Sequence, residues 1–488
     1  MVHPLPRALA AVLAAVLAVV LTAGCAGGGA AEATPPAPPA APRAPNVLFV
    51  LADDLGYGEV GFAGQERIAT PRLDRLAREG MVLTAHYAGS TVCAPSRASL
   101  MSGLHQGRAP IRGNRVDALP DSVVTLAEVL RARGYRTAMF GKWGLGDVGT
   151  AGEPTRQGFD AYYGYLDQVH AHNHYPGYLV RDGVREPLRN EVIERKVPYA
   201  DLLGSAATRK VDYAEDLLVA EAAAFIREAA AAREPFFVYL PVVIPHVNNE
   251  SYLTGHHGME VPSLGRYADE VAWPEAERAK AAMITYLDRD VGRLVDLVDS
   301  LGLDSTTLVV FTSDNGPATE GVDPTFFDGA GPFRGHKRLL YEGGIRVPTV
   351  ARWPGVVPAG ATRGDVTAFW DWKPTLAEAA GAPAPTGGDG VSFLPVLRDE
   401  PAPAVAARPY LYWEFVYWEG ATQAVRAGRW KYLRRLDAGT EELYDLAADP
   451  GEAADLAAER PEVVARLRAY ADEAHVAHPR YPLPGEEQ

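Results

Sequence analysis

The sequence predicts an α/β fold: a large, mostly parallel sheet flanked by helices, then a smaller C-terminal α+β domain with an antiparallel sheet. Three observations lead there. Short apolar runs rich in Val, Leu and Phe, such as residues 46–52 and most of 306–316, read as strands buried on both faces. Helical patterns alternate with them. Past about residue 400 the strand-like segments follow one another with no helix between them. A chain of 488 residues suits one large domain or two unequal ones.

At the N-terminus, Arg7 precedes the apolar run ALAAVLAAVLAVVLTAG, which ends at Cys25. The run has the length of a signal-peptide core and is short for a membrane span. Thr22-Ala23-Gly24 resembles a bacterial lipoprotein cleavage box, so residues 1–25 are expected to be a lipoprotein signal peptide with lipid on Cys25. An ordinary signal peptide or a poor membrane anchor is the alternative. Residues 26–45 read as a Pro/Ala/Gly-rich tether. The expected location is therefore periplasmic or cell-surface, with the membrane touched only through the N-terminal lipid.

The folded part begins with the strand 46–52. Residues 70–80 read as a helix, with Thr70 as N-cap, Pro71 in the first turn and Gly80 as the stop. Residues 123–134 are a second helix, and 136–143 a strand and its exit. Residues 213–234 form a long helix, followed by a strand over 235–246 that ends at His246. A helix over 283–302 leads to the strand 306–316. The main domain spans 46–400. The C-terminal α+β subdomain spans 401–480, with strands at 410–418, 422–436 and 441–450 and a last helix near 460–475. The aromatic run YLYWEFVYW could face a sugar, or could pack the core of that subdomain. A formal net charge of -15 excludes sequence-independent nucleic-acid binding, which needs basic surface.

Two of the apolar strands end in oxygen ligands, Asp53-Asp54 and Asp314-Asn315. Ligands of open α/β sheets bind beyond the carboxyl ends of the strands. Three carboxylates and an amide form a hard oxygen set that suits Ca²⁺ or Mg²⁺ better than zinc. Only two cysteines are present, Cys25 and Cys93. With Cys25 lipidated, Cys93 has no disulfide partner and is flagged as reactive or modified. A Cys25–Cys93 disulfide is the alternative. Pro95 and the following SRASLMSG read as a helix that starts beside Cys93 and stops at Gly103. Its N-terminus favours an anion and lowers a thiol pKa, and Arg97 and then Arg108 follow. A thiol nucleophile and a structural buried cysteine both remain open on these residues alone.

CAPSRASLMSG resembles the sulfatase signature C-x-P-S-R-x-x-L-x-x-G. VLFVLADDLGYG, GYRTAMFGKWGLG, FTSDNG, GHKRLLYEGGIRVP and ELYDLAADPGEAADLA are similar to further blocks of that family, which belongs to the alkaline phosphatase superfamily. The resemblance covers roughly residues 46–475. It implies that Cys93 is oxidised by a formylglycine-generating enzyme to formylglycine, whose hydrate attacks sulfur. It implies Ca²⁺ on Asp53, Asp54, Asp314, Asn315 and residue 93, with Mg²⁺ as the other candidate. It gives Arg97 the modified side chain to hold, Lys142 and Lys337 the sulfate oxygens, and His246 a part in protonating the leaving group. Residues 46–400 would be the catalytic domain.

One position departs from the pattern. Gly144 stands where many family members have a histidine that bonds residue 93 and shares in the proton removal that releases sulfate. His170, His172 and His174 lie nearby in sequence, and His172 is expected to replace it; His336 is a weaker substitute. The expected substrate is a sulfated small molecule or saccharide. A phosphonate monoester or phosphodiester hydrolase, and a non-catalytic sulfated-glycan-binding lipoprotein, are the alternatives.

Overall fold

Residues along the first strand alternate between two cores, and that alternation builds the molecule. The computed structural model describes residues 44–197, 202–417 and 420–486. The expected signal peptide, Cys25 and nearly all of the tether lie outside the described residues, as does Trp418. In chain order the elements that position the site are β1 (Asn46–Ala52), α1 (Pro71–Glu79), α2 (Cys93–Ser102), β2 (Arg136–Lys142), β3 (Ala161–Tyr165), α3 (Ala214–Ala232), β4 (Phe236–Pro241), α4 (Glu275–Ser300) and β5 (Thr307–Ser313). The five strands pair in parallel in the order β3-β2-β4-β1-β5. Shorter strands extend both edges, largely by antiparallel pairing, to a ten-stranded sheet.

Leu48, Val50, Phe140, Val238, Leu240, Val309 and Phe311 point to one face, where α1, α3 and α4 cover them with Leu73, Leu76, Leu218, Phe225, Ile284 and Leu287. Val47, Phe49, Leu51, Met139, Phe237, Tyr239 and Val310 point to the other, against Ala98, Leu100 and Met101 of α2 and Trp372. Both faces of the sheet are therefore dry, which is why the strand sequences read as unbroken apolar runs. Because the five strands are parallel, their carboxyl ends share one edge.

The C-terminal part is an antiparallel meander of β6 (Leu411–Tyr417), β7 (Gly420–Ala427), β8 (Trp430–Arg435) and β9 (Thr440–Asp445), covered by α5 (Pro461–Ala474). Alternation works here too. Trp413, Phe415, Leu433 and Tyr444 pack against Tyr87, Tyr341 and Trp370 of the main sheet's flank. Tyr412, Val425, Tyr432 and Leu443 pack beneath Val463, Val464 and Leu467 of α5. The described rings at the start of the aromatic run, Tyr412, Trp413 and Phe415, are thus core rather than sugar platform. Among the described residues no helix is long and apolar enough to cross a membrane.

Three boundaries differ from expectation. The helix over 123–134 is confined to Leu126–Arg131, and the strand over 235–246 ends at Pro241. The helix expected over 283–302 begins at Glu275, because its first turns are polar and the apolar periodicity starts only later. Lys280 in those turns is buried against Glu59. The segment 145–212, which carries little periodicity, folds into β3, two edge strands and the separate hairpin Glu191–Lys196 with Leu203–Arg209.

Candidate active site

β1 and β5 are neighbours in register, Ala52 opposite Ser313, so their exits leave side by side. Asp54 N–H donates to Asp314 Oδ1 at 3.1 Å across 260 residues of sequence, and Asn315 Nδ2 donates to Asp54 Oδ1 at 2.8 Å. Asp54 takes a φ of +65°, a left-handed conformation that aspartate tolerates better than most residues. This sharp exit brings both carboxylates of the pair into the site.

α2 enters from the other side, with Val92 as N-cap and Cys93 as its first residue. The helix ends at Gly103, whose φ of +73° closes it in the left-handed region. Cys93 Sγ–H donates to Asp53 Oδ1 at 3.1 Å and lies 3.9 Å from Asp54 Oδ1. Cys93 is a free, buried cysteine, so no described residue pairs with it. Burial, and then the Asp53 charge, push its thiol well above the usual range. Two carboxylate acceptors beside the sulfur favour the thiol over the thiolate.

Three cations answer the three carboxylates. Arg97 donates from Nε and Nη2 to Asp314 Oδ2 at 3.0 and 2.9 Å, and from Nη1 to the Lys142 carbonyl. Lys142 Nζ lies 2.6 Å from Asp53 Oδ2, and Lys337 Nζ 2.6 Å from Asp54 Oδ2. All six side chains are buried. Burial alone would raise Asp53, but Lys142, Arg97 and Lys337 outweigh it and hold it low. Asp314 is pushed up to about 7 by burial and by the neighbouring Asp53 charge. Burial likewise raises Asp54 against the pull of Lys337.

His246 lies beyond the end of β4. Its Nδ1–H donates to Val247 O at 2.7 Å, and Lys337 Nζ donates to its Nε2 at 3.3 Å. Burial, then the Lys337 charge, keep the ring neutral, well below the ordinary imidazole range. His174 Nε2–H donates to the His246 carbonyl. His172 stacks on His246 with ring centroids 5.0 Å apart and bonds Glu250 Oε2 at 2.9 Å.

His172, expected to supply the imidazole missing at Gly144, stands beside His246 rather than over Gly144 itself. The side chain over Gly144 is Gln168: a Cβ placed on Gly144 would fall 1.8 Å from Gln168 Nε2. Strand pairing explains this. β3 lies beside β2 and carries the chain after it back over Gly144, whereas residues 170–172 turn away in a short 3₁₀ helix toward Glu250 and His246. Arg108 is not in the site either; it is exposed and pairs with Asp389. His336 bonds the carbonyl of Lys337 rather than entering the cluster.

The donor set fits a hard divalent cation. Ligand atoms of Asp53, Asp54, Cys93 and His246 lie within 4.8 Å of one another. Asn315 Oδ1 points an unpartnered acceptor from the same strand exit. Crowded carboxylates with raised pKa values are what such a cation relieves. Gln168, Glu250 and the Glu320 beside Lys337 and Arg338, held down to about 2, escaped the sequence reading. Each is a polar residue in an irregular segment, with no motif to flag it.

Residues 45–382 match the family model described as Sulfatase, and residues 333–474 match that described as N-sulphoglucosamine sulphohydrolase, C-terminal. The chain is 33% identical over 474 residues to arylsulfatase A of Homo sapiens, covering 87% of each protein. It is 30% identical over 407 residues to N-acetylgalactosamine-6-sulfatase of Canis lupus familiaris, covering 79% of this chain and 71% of that one. Among solved structures, Ps i-CgsB in complex with k-i-k-neocarrahexaose superposes with a TM-score of 0.73 at 25% identity, over 88% of this chain and 93% of its own. PsFucS1 sulfatase from Pseudoalteromonas sp. does so with 0.67 at 25% identity, over 88% and 90%. On the strength of a site assembled from both halves of the chain and of these matches across most of its length, the chain belongs to the sulfatase family of the alkaline phosphatase-like superfamily and is a sulfatase.

Proposed function

We propose that this sulfatase cleaves sulfate from aryl or carbohydrate esters with a formylglycine made from Cys93 and with bound Ca²⁺. The observation that carries this is the position of Cys93: first residue of a buried helix, 3.1 Å from Asp53, with Lys142 and Lys337 on the two aspartates. The formylglycine hydrate would supply an oxygen nucleophile, and Ca²⁺ would polarise the sulfuryl oxygens. Asp53, Asp54, Asp314, Asn315 and residue 93 would hold the cation; Mg²⁺ suits the same oxygens. Arg97, locked on Asp314, orients residue 93. Lys142 and Lys337 bind sulfate oxygens and stabilise charge that builds during reaction. Lys337 and His246 hold a proton between them for the leaving oxygen. Three carboxylates against three cations leave the cluster formally neutral, so a divalent cation would make it a receptor for an anionic ester.

The saccharide side of this reading is supported by the neocarrahexaose bound to Ps i-CgsB. The apolar run before Cys25 supports export and a lipid tether. A formylglycine-generating enzyme is the maturation partner that the reading requires. The test is peptide mass spectrometry of residue 93 in protein from its own host, with turnover of an aryl sulfate, a sulfated saccharide and the matching phosphate and phosphonate esters. Aldehyde at 93 with sulfate esters turned over fastest is the expected result. An unmodified thiol in active protein would sink the mechanism. Faster phosphonate turnover would reassign the substrate, and binding without turnover would make the protein a glycan receptor.

A further inference from the structure

Gln168 is a part of the site surroundings that the chemistry above does not use. Trp143 N–H donates to Tyr165 O at 2.8 Å and Gly144 N–H to Leu166 O at 3.0 Å, so the chain leaving β2 runs beside the chain leaving β3. This pairing lays Gln168 over Gly144, two residues from Lys142. A Cβ on Gly144 would lie 1.8 Å from Gln168 Nε2 and 2.9 Å from its Cδ, so no side chain at 144 can coexist with that amide in this position. Gly144 also has a φ of +75°, where a side chain is strained. The two residues are therefore one unit: glycine makes the room and glutamine fills it.

The amide fills that room without satisfying itself. Both Nε2 and Oε1 of Gln168 are buried and lack a hydrogen-bond partner. A buried carboxamide left unpaired is uncommon in a folded protein and is explained by a partner that arrives with the ligand. The surrounding groups tell what that partner is. Lys142, two residues before Gly144 at the end of β2, pairs with Asp53, and its carbonyl accepts from Arg97 Nη1, so the backbone that Gln168 covers is the exit of the strand that carries one of the site's cations. His172 does not compete for this role, since its ring is held by Glu250 and stacked on His246.

We propose that Gln168 is a sulfate-binding residue, whose amide N–H donates to a sulfuryl oxygen from the place a side chain at 144 would otherwise take. This rests on the sulfatase reading above. The amide forms and breaks no covalent bond. A carboxamide donates and accepts but does not change protonation in the working pH range. A site built this way binds sulfate through a neutral donor, and proton removal falls to groups other than the one at this position.

The test uses the full chain with the aldehyde content of residue 93 measured for each variant, and inorganic sulfate as probe. Gln168→Met keeps the volume over Gly144 and removes the amide. It should weaken sulfate binding by about tenfold to a hundredfold, with melting temperature and aldehyde content unchanged. Gln168→Asn keeps the amide but withdraws it by one methylene, and should give an intermediate loss. The double variant Gln168→Ala, Gly144→His should regain sulfate affinity and add an inflection near pH ~6.5 to its pH–rate profile, absent from the wild type. Wild-type sulfate affinity in both single variants would overturn the proposal and leave Gln168 a spacer. Wild-type turnover of sulfate esters tests the underlying sulfatase chemistry separately: lost turnover with Gln168-dependent sulfate binding fails that reading alone, and full turnover with Gln168-independent binding fails this one alone.

Discussion

Two buried charge clusters sit in this molecule, and they are built to opposite ends. The first is the site: Asp53, Asp54 and Asp314 against Arg97, Lys142 and Lys337. The second lies where the C-terminal meander meets the main domain. There Lys431 of β8 sits 2.9 Å from Glu342 and 3.2 Å from Glu452, and Arg346 and Arg426 also approach Glu342. Tyr87 O–H donates to Glu342 at 2.6 Å. Burial would raise Glu342, but Lys431, Arg426 and Arg346 hold it down to about 2. In this second cluster cations outnumber carboxylates and the charges answer one another within the fold. Burial raises one carboxylate to about 7 in each, Asp314 in the first and Glu452 in the second, so the difference lies elsewhere: in the first, cations only match carboxylates, Asn315 Oδ1 has no partner, and one backbone exit is left-handed. A buried network whose charges are answered joins two parts of a protein. One with acceptors to spare waits for a ligand.

That contrast can be broken from either side. Cys93→Ala should abolish sulfate-ester turnover, on the order of 10⁵-fold, while the melting temperature stays within a few degrees of wild type. Lys142→Ala or Lys337→Ala should lower kcat/KM by about 10²- to 10³-fold in steady-state assays. Removing a cation from the other cluster should do the reverse. Lys431→Met leaves Glu342 and Glu452 without their shared lysine and should cost about 3–5 kcal/mol in denaturant unfolding, with activity per folded molecule kept. Chelation separates the clusters a second way. Stripping divalent ions should lower the melting temperature, and Ca²⁺ at about a hundred times its Kd should restore about 2.7 kcal/mol in wild type and in Lys431→Met alike, but not in Asp54→Asn.

The smallest effect belongs to a buried group in neither cluster. His86 bonds Thr367 Oγ1 through Nδ1 and accepts from Trp372 Nε1 through Nε2. Burial lowers its pKa to about 3. The folded state therefore keeps the ring neutral while the unfolded chain takes up a proton below pH ~6.5. Between those values the unfolded state binds more protons, so stability is full above pH ~6.5 and falls as the pH drops toward 3. Denaturant unfolding at pH 4 and 5 should show a slope approaching ~1.4 kcal/mol per pH unit from this residue, flattening above pH ~6.5. A flat profile would mean that the imidazole is reached by water.

The sequence reading found what motifs and apolar periodicity can carry. The strand ends Asp53-Asp54 and Asp314-Asn315 were legible because buried parallel strands are recognisable and their carboxyl ends share an edge. Cys93 and Arg97 were legible because the helix start, its proline and its glycine stop mark one local unit. Gln168 was not, because its place over Gly144 depends on β3 pairing with β2, and nothing local in YGYLDQVHAH signals that pairing. Arg108 shows the reverse: nearness in sequence to Arg97 does not bring it to the site, and it pairs with Asp389. The early start of α4 was hidden because a buried Lys280–Glu59 pair looks, in sequence, like solvated surface.

The burial of Cys93 also sets a timetable. Its side chain is 1% exposed, closed in by Asp53 from β1 and by a cluster completed only when residues near Lys337 have been made. A second enzyme cannot reach that sulfur in the finished fold. Under the proposed formylglycine maturation, the enzyme that oxidises Cys93 would have to meet α2 as an open segment of unfolded chain, before β5 docks beside β1. Maturation and folding then compete for the same residue, and a chain that folds too early would be stable, well packed and inert.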